Sequence, residues 1–398
     1  MSRGPLLLPN LGAEEGGDWR QTLRQPRIAA AARLWRLLFP ASARVPEGVT
    51  GVDPKVWPSP LAAGRDAPAF DWLEDVSGCV PWLANRSSRE EATAWGLPVA
   101  GPPADVVERV HDKAFALLAA EQADLVPRAL LGTTRIFDPD ELVDADATLA
   151  RIEECLSGWP AWTVRRFTLK PRHGTSGRGR VHAIEQVRAA LPRLAARGGA
   201  ILEPWLTRTR DLSVQLRITA EGEVVILASL ELLVGPAGSY RGHRGEVDSR
   251  GRVFSGLPEE ESLREAGALV ASAAWQAGFH GPAALDALCF RIPGQEETRD
   301  RLRPVVELNA RFSMGIVATG LLRRVLPDVR RELDLEPGAR RAFLFLLGPP
   351  PAGWDAARDQ VGPDHLFVPL WSDGDSTQPA LLFADRSERL DPCAARVT

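Results

Sequence analysis

The sequence predicts a protein of the α/β (α+β) class with more than one domain, and three observations predict it. The chain has 398 residues, which is enough for two to three domains. Its hydrophobic content of 44% and charged content of 25% are ordinary for a globular protein. Segments with the alternation of strands are interspersed with segments that have the apolar periodicity of helices.

The composition argues against several classes of function. The net charge of −4 lacks the basic excess of general nucleic-acid binders. No apolar run approaches the roughly 20 residues of a membrane span, and the N-terminal leucines are too few for a secretory segment. Cys79, Cys155, Cys289 and Cys393 have no zinc-site or disulfide spacing. We therefore expect a cytoplasmic protein without nucleic-acid or membrane partners.

The N-terminal half is expected to alternate strands and helices. A Pro- and Gly-rich stretch at 40–68 predicts a loop. Residues 164–170 alternate as a strand that runs into a glycine-rich turn. Apolar patterns predict the other elements: a strand at 5–9, helices at 18–39, 104–122 and 184–197, and a strand at 199–203.

The C-terminal half is expected to be richer in strands. A β-meander spans 212–234, and the Gly- and Arg-rich residues 235–249 predict a polar loop. The remaining predicted elements are a helix at 259–277, strands at 283–291 and 303–309 around a charged hairpin insert at 292–302, and apolar runs at 342–347, 365–370 and 380–384, which could be strands of a closing domain.

Lysine is scarce in this chain. Of 48 basic residues only three are lysines, Lys55, Lys113 and Lys170. A lysine retained under such a bias is expected where a compact, movable point charge is needed, because the planar fork of arginine cannot replace it. The alternative, that these lysines are leftovers without a special role, stays open at this point.

The glycine-rich stretch Gly174-Thr175-Ser176-Gly177-Arg178-Gly179 follows a predicted strand. Its backbone N–H groups could hold phosphates. The glycine spacing matches neither a dinucleotide fingerprint nor a P-loop, so a surface turn is the alternative. Lys170, four residues before the loop, favours a phosphate-binding role.

Three oxygen-bearing side chains suggest a metal site. Glu307 and Asn309 lie two residues apart on a predicted strand and therefore share a face. If Asp286 lies on a neighbouring strand, three hard oxygen ligands of the kind that Mg²⁺ prefers converge. The alternative is a set of polar residues on the wet face of an antiparallel pair.

Taken in order, these motifs resemble the ATP-grasp ligases, specifically the biotin-carboxylase-like and carbamoyl-phosphate-like branch. The resemblance covers about residues 85–315, and its motifs are specific only as an ordered set. The matching segments are Trp95–Pro102, Asp112-Lys113-Ala114-Phe115, Leu169-Lys170-Pro171 with the glycine-rich loop, Glu203-Pro204-Trp205-Leu206, Asp211, Asp286, and Glu307-Leu308-Asn309-Ala310-Arg311.

The resemblance implies an ATP-grasp fold, in which ATP and Mg²⁺ lie between two α+β subdomains that follow an α/β pre-ATP-grasp domain. It implies Asp286, Glu307 and Asn309 as magnesium ligands and Arg311 as the catalytic residue that binds the reacting anion. The implied nucleotide contacts are Lys113, Lys170, Gly174, Ser176, Gly177, Gly179, Glu203, Trp205, Leu206 and Asp211.

The resemblance also implies a division of the chain into four parts. They are an N-terminal α/β (pre-ATP-grasp) domain over 1–103, a small ATP-grasp subdomain with the glycine-rich lid over 104–205, a large subdomain with the magnesium site over 206–325, and a β-containing closing segment over 326–398. The chain departs from the family at Ala284, where many peptide-forming relatives have an arginine, and at the insert 292–302.

Two further segments are candidates for substrate contacts. Residues 239–244 place Arg241, His243 and Arg244 beside the sole tyrosine, Tyr240, and are interpreted as a catalytic substrate lid with cationic donors. A solvated basic turn is the alternative. Asn10 and Glu14-Glu15 follow the first strand, at the edge where α/β domains often bind ligands, and could bind an amine.

The function predicted first is ATP-dependent ligation of a small-molecule carboxylate to an amine through an acyl phosphate, with release of ADP and phosphate. A kinase-type or carboxylase-type ATP-grasp enzyme is the second hypothesis, and a non-catalytic ATP-binding module is the third. The substrates cannot be identified from the sequence, and a homodimer is left open.

Overall fold

The computed structural model describes residues 4–47, 49, 67–174, 179–235, 239–294, 300–362, 364–370 and 378–394. Within these residues the strands form a two-stranded, a three-stranded and a nine-stranded sheet. Helices pack against each of them, so the α/β class predicted from the sequence is confirmed.

The N-terminal segment begins with strand β1 (Leu6–Leu8), which pairs in parallel with β2 (Cys79–Pro81). The helix predicted over 18–39 is divided in two. Pro26 begins the second helix, because proline fits the first turn, where its missing N–H costs no hydrogen bond. The helices here are α1 (Trp19–Thr22), α2 (Pro26–Arg36) and α3 (Arg86–Ala94).

The helix predicted over 104–122 is also divided, into α4 (Ala104–His111) and α5 (Lys113–Gln122). Asp112 breaks it, since its backbone is extended and its side chain accepts a hydrogen bond from the Ala114 N–H. An aspartate in this position satisfies a free N–H group at the start of a helix. The break makes Lys113 the first residue of α5.

A small subdomain follows, with a sheet of order β3-β5-β4 and a core of its own. All its strand pairs are antiparallel. Helices α6 and α7 cover one face and bury residues such as Ile152 and Leu191 against the sheet. The elements are β3 (Arg135–Phe137), α6 (Ala145–Gly158), β4 (Phe167–Pro171), α7 (Ile184–Ala195) and β5 (Ala200–Pro204).

The nine-stranded sheet has the order β11-β10-β6-β7-β9-β8-β12-β14-β13. The three C-terminal apolar runs are strands, as predicted, and they extend this same sheet. The strands are β6 (Thr207–Ile218), β7 (Val224–Val234), β8 (Tyr240–Asp248), β9 (Val253–Phe254), β10 (Gly281–Arg291), β11 (Arg301–Asn309), β12 (Arg340–Leu346), β13 (Leu366–Pro369) and β14 (Ala380–Ala384).

The prediction of a polar loop over 235–249 was wrong, because most of this segment is strand β8. It pairs with β7 on one side and β12 on the other. A Cβ atom added to Gly242 would lie 1.9 Å from the Phe345 carbonyl oxygen, and one on Gly245 would lie 2.3 Å from that of Phe254. The glycines that suggested a turn therefore allow close approach between strands.

The remaining helices are α8 (Glu260–Gln276), α9 (Met314–Glu332), α10 (Gly353–Val361) and α11 (Asp391–Ala394). Helix α9 joins the N-terminal segment to the large sheet, since Phe312 just before it packs against Trp35 and Trp82. These residues belong to one continuous core with the sheet. In the described part of the chain no helix is long and apolar enough to cross a membrane.

Candidate active site

Two adjacent strands bring the predicted metal ligands together. Asp286 on β10 pairs directly with Glu307 on β11, and Asn309 lies two residues further along β11. Directly opposed residues share a face of a sheet, so the three side chains converge. Ser213 Oγ donates a hydrogen bond of 2.9 Å to Asp286, and Asn309 Nδ2 donates one of 3.0 Å.

The two carboxyl groups have very different proton affinities. Burial and the charge of Glu307 raise the pKa of Asp286 to about 7. Burial would also raise the pKa of Glu307, but the charges of Lys113 and Lys170 outweigh it and lower the pKa to about 2. Glu307 is therefore ionised at neutral pH, whereas Asp286 is protonated in part of the molecules, and a divalent cation could displace that proton.

Lys113 lies at the edge of this cluster. Its Nζ is 3.3 Å from Glu307 Oε2 and donates a hydrogen bond of 2.6 Å to the Gly174 carbonyl. The first predicted lysine and the start of the glycine-rich loop thus meet the metal cluster. Gly179 has a positive φ of 79° at the far end of the loop, and Ser176 and Gly177 lie outside the described residues.

Lys170 is almost completely buried, with 2% of its side chain exposed. Its Nζ lies 2.8 Å from Glu203 Oε1, and Arg303 Nη2 lies 2.7 Å from the other oxygen of Glu203. Burial lowers the pKa of Lys170, whereas Arg303 and Lys170 hold the pKa of Glu203 below its usual range despite its burial. Arg303 was not predicted from the sequence, because its role depends on its contact with the distant Glu203.

The predicted adenine-binding segment, 203–206, comprises the last two residues of β5 and the two residues that follow. The backbone N–H of Trp205 donates a hydrogen bond of 2.9 Å to the Arg166 carbonyl. Leu206 belongs to an apolar cluster that also contains Leu288, two residues beyond Asp286. Asp211, the expected ribose contact, is buried and lies 3.1 Å from Arg208. An apolar wall therefore adjoins the charged groups, as in many small-molecule sites.

Arg311 links the metal cluster to the N-terminal segment. Its Nη2 donates to Asn309 Oδ1 at 3.1 Å, and its Nη1 donates to the Phe312 carbonyl at 2.9 Å. Its Nε forms an ion pair with Glu14, and its guanidinium carbon lies 5.9 Å from the Trp82 ring. The structure therefore brings Glu14, one of the residues considered for amine binding, to the candidate site.

Two supporting residues were not predicted from the sequence. Ser213 lies on β6 opposite Asp286 and donates to it. His111, at the end of α4, accepts a hydrogen bond from the Ala310 N–H at 3.1 Å, and burial first, then Arg311, keep its pKa well below its usual value. Neither position had a signal in the sequence, because each depends on a contact between distant segments.

The residues of β8 do not form the cationic lid that was predicted. Arg244 pairs with Glu231 at 2.7 Å and with Asp391. The register across β8, β7, β6 and β10 aligns Arg244 with Ala287, so Arg244 lies on the opposite face of the sheet from Asp286.

His243 lies on the same face as Asp286 but is buried, and burial lowers its pKa to about 3, so it is neutral. Its ring centroid is 5.3 Å from that of Tyr240. The Arg241 carbonyl accepts a hydrogen bond from Leu347, as part of the pairing with the segment after β12. The segment thus forms part of a packed sheet, which is the physical reason that it cannot act as a mobile lid.

The available donor atoms suit Mg²⁺ better than a metal ion whose ligands are all protein side chains. No group of three or more His, Cys, Asp or Glu side chains that could hold a metal occurs in the described ranges. The converging set is two carboxylates, Asp286 and Glu307, with the amide of Asn309. Mg²⁺ commonly takes one or two carboxylates and completes its shell with water and substrate phosphates.

No protein-family model matches this chain, and no curated protein matches it in sequence. Solved structures do match it along nearly its whole length. A biotin carboxylase from Campylobacter jejuni, in complex with a β,γ-ATP ligand, is 12% identical with a TM-score of 0.52, and the match covers 98% of this chain and 89% of that one.

The biotin carboxylase domain of 2-oxoglutarate carboxylase from Hydrogenobacter thermophilus, in complex with MgADP, ADP and bicarbonate, is 14% identical with a TM-score of 0.52. The match covers 96% of this chain and 86% of that one. An N5-carboxyaminoimidazole synthase from Aspergillus clavatus, in complex with ADP and 5-aminoimidazole ribonucleotide, is 16% identical with a TM-score of 0.51. The match covers 98% of this chain and 96% of that one. These likenesses show the fold, and the chain has the ATP-grasp fold that the sequence predicted.

Proposed function

We propose that this chain is an ATP-dependent ligase that joins a small-molecule carboxylate to an amine through an acyl phosphate and releases ADP and phosphate. The observation that carries the proposal is the convergence of Lys113, the Asp286–Glu307 pair and Arg311 at one place in an ATP-grasp fold. Solved complexes with this fold contain an ATP ligand, MgADP or ADP, which supports ATP and Mg²⁺ for this chain.

The nucleotide would lie between the small subdomain (104–205) and the large one (206–325). Leu206 and Leu288 would pack against the adenine, and Asp211 would accept from the ribose. Lys113 and Lys170 would neutralise phosphate oxygens with compact charges. Their present partners, Glu307 and Glu203, hold them in place until the phosphates arrive.

Mg²⁺ would be held by Asp286, Glu307 and Asn309. There it would neutralise negative charge on the phosphoryl group during transfer. Arg311 lies beside this cluster and can bind the substrate carboxylate and then the oxyanion that forms when the amine attacks. Preorganised donors of this kind are often the largest contribution to catalysis. His111 supports the arrangement by accepting from the backbone between Asn309 and Arg311.

A carboxylase-type reaction, in which bicarbonate is the carboxyl group activated, is the second candidate. It is favoured by the bicarbonate in the similar 2-oxoglutarate carboxylase domain. The two candidates differ in the substrate that ATP cleavage requires. A carboxylase-type enzyme requires bicarbonate, whereas a ligase requires an organic carboxylate.

The test is to incubate the protein with Mg-ATP and a pool of amino acids in bicarbonate-free buffer, with hydroxylamine present to trap an activated acyl group. The proposal predicts carboxylate-dependent ADP release and a hydroxamate product. The matched control is Arg311→Ala, which should lower hydroxamate formation by about 100-fold or more, as the loss of one oxyanion donor does elsewhere. ADP release that requires bicarbonate alone would favour the second candidate, and a stable phosphoester without hydroxamate would favour a kinase.

A further inference from the structure

Glu14 is a buried carboxylate beside the proposed reaction centre. It lies in the short 3-10 turn Ala13–Glu15 that follows β1, and 2% of its side chain is exposed. One oxygen, Oε1, is ion-paired with Arg311 Nε. The other oxygen, Oε2, is buried and has no hydrogen-bond partner among the described residues, and Arg311 Nε, although ion-paired, likewise forms no hydrogen bond there.

A buried charged oxygen without a donor is unfavourable. Leaving a buried polar group unsatisfied costs about 1–3 kcal/mol, and more when it is charged. A carboxylate can accept from several donors, and Glu14 uses one of its two oxygens. The missing partner is therefore a donor, and a cation satisfies a buried carboxylate better than a neutral group does.

The position of this oxygen ties it to the reaction centre. Arg311 bridges Glu14 to Asn309, and Asn309 donates to Asp286. Trp82, at the end of β2, flanks the Arg311 guanidinium. The N-terminal segment thus supplies a negative charge and an aromatic wall at the point where the acyl group would be attacked.

We infer that Glu14 binds the amine substrate in its ammonium form and accepts the proton that must leave before the nitrogen can attack. This inference rests on the proposed ligase function. The neutral amine then attacks the acyl carbon, so that a C–N bond forms while the C–O bond to phosphate breaks. Phosphate leaves with that electron pair and takes the second proton from the nitrogen.

The inference defines the class of amine. The nucleophile is an amine that is protonated in solution, because an ammonium group can both donate to the second oxygen of Glu14 and give up a proton to it.

The test compares two nucleophiles in the full-length chain with Mg-ATP. In the first assay the carboxylates are the twenty amino acids and the nucleophile is hydroxylamine, which is uncharged at neutral pH. The amount of hydroxamate formed measures activation of the carboxylate. The same pool with ammonium and putrescine, without hydroxylamine, reports amine-dependent ADP release. The variants are Glu14→Gln, Glu14→Asp and, as a matched control, Glu91→Gln, which removes a carboxylate that is ion-paired with Arg20 in the same segment.

We expect Glu14→Gln to keep hydroxamate formation within about threefold while losing about 100-fold in kcat/KM for the amine, as expected when one partner of a buried charge pair is removed. Glu14→Asp should restore part of the loss, and Glu91→Gln should behave as wild type. Equal loss of both activities in Glu14→Gln would show that Glu14 acts only through Arg311 and would overturn the inference. A wild-type kcat/KM for the amine in Glu14→Gln would also overturn the inference.

The outcome distinguishes this inference from the proposed function. Hydroxamate formation by the wild type without any effect of Glu14 on the amine would leave the ligase function standing and remove the role of Glu14. Absence of hydroxamate and of ADP release in the wild type would remove the proposed function and, with it, the inference.

Discussion

At the scale of single residues, the two lysines of the candidate site are held by carboxylates and buried. Lys113 meets Glu307 at 3.3 Å, and Lys170 meets Glu203 at 2.8 Å. Burying a lysine is unfavourable unless its charge is matched. These pairs place two compact cations where the small sheet meets the large one, and both belong to the proposed nucleotide site.

Lys113→Ala and Lys170→Ala should each weaken ATP binding by about 1.5–3 kcal/mol, since each removes a hydrogen bond from a charged group to a phosphate. Isothermal titration calorimetry with ATP measures the change. Arg188→Ala, which removes an exposed cation of the small subdomain that pairs with Asp146, is the matched control and should bind ATP as the wild type does. Wild-type affinity in either site variant would remove that lysine from the nucleotide site.

The raised pKa of Asp286 predicts how stability depends on pH without ligand. The folded chain binds a proton at Asp286 up to about pH 7, whereas the unfolded chain releases it near the ordinary aspartate value of about 4. Asp286 should therefore lower the free energy of unfolding as pH rises from about 4 to about 7, whereas the buried histidines His111 and His243, whose pKa values are lowered, should raise it up to about pH 6.5. Glu307 does not interfere, since its pKa is lowered and its contribution is lost only as pH falls towards about 2.

Urea unfolding of the wild type and of Asp286→Asn across this pH range tests the prediction. The variant cannot titrate at this position, so the part of the slope that Asp286 causes should disappear. Equal slopes in the two proteins would contradict the assigned proton. Saturating Mg²⁺ and ATP should also reduce the slope in the wild type, because the metal replaces the proton.

At the scale of elements, the part of the site that lies on β10 and β11 was predictable. The spacing of Glu307 and Asn309 gives them one face of a strand, and only the pairing of Asp286 with Glu307 had to be found in the structure. The break at Asp112 was harder to predict, since Ala104–Gln122 has helical periodicity throughout. There the competing signal was the capping tendency of aspartate.

Strand β8 could not be predicted from local sequence. Its glycines and arginines are typical of a turn, and its identity as a strand depends on partners far along the chain, namely Glu231 for Arg244 and β12 for Gly242. The same limit applies to Arg303, whose role depends on its contact with Glu203, 100 residues away. Non-local pairing of this kind leaves no periodic pattern in the sequence.

Gly242→Ala tests the packing of β8. The added Cβ would meet the Phe345 carbonyl at 1.9 Å, so β8 and β12 must separate. Overpacking of this kind costs about 1–3 kcal/mol, and we expect a loss of unfolding free energy in that range. Gly17→Ala is the matched control because nothing lies within 4 Å of its Cβ position. It should change stability by less than about 0.5 kcal/mol, and similar losses in both variants would contradict the strand assignment.

At the scale of the whole molecule, the distribution of the cores explains where the site lies. The small subdomain has its own apolar core, while the N-terminal segment shares one core with the large sheet. Lys170 and Glu203 belong to the small sheet, and Asp286, Glu307 and Arg311 belong to the large sheet and its continuation. Lys113 lies between them, at the start of α5. A nucleotide bound here would bridge two separately packed bodies.

The central claim is that the chain activates a carboxylate by phosphorylation, and oxygen transfer tests it most directly. A carboxylate from the active pool is labelled with ¹⁸O and supplied with Mg-ATP and the amine, and the released phosphate is analysed by mass spectrometry. Passage through an acyl phosphate predicts one ¹⁸O atom in each phosphate released, because the carboxylate oxygen stays with phosphorus when the C–O bond breaks. Phosphate without ¹⁸O, or release of AMP and pyrophosphate instead, would contradict the account.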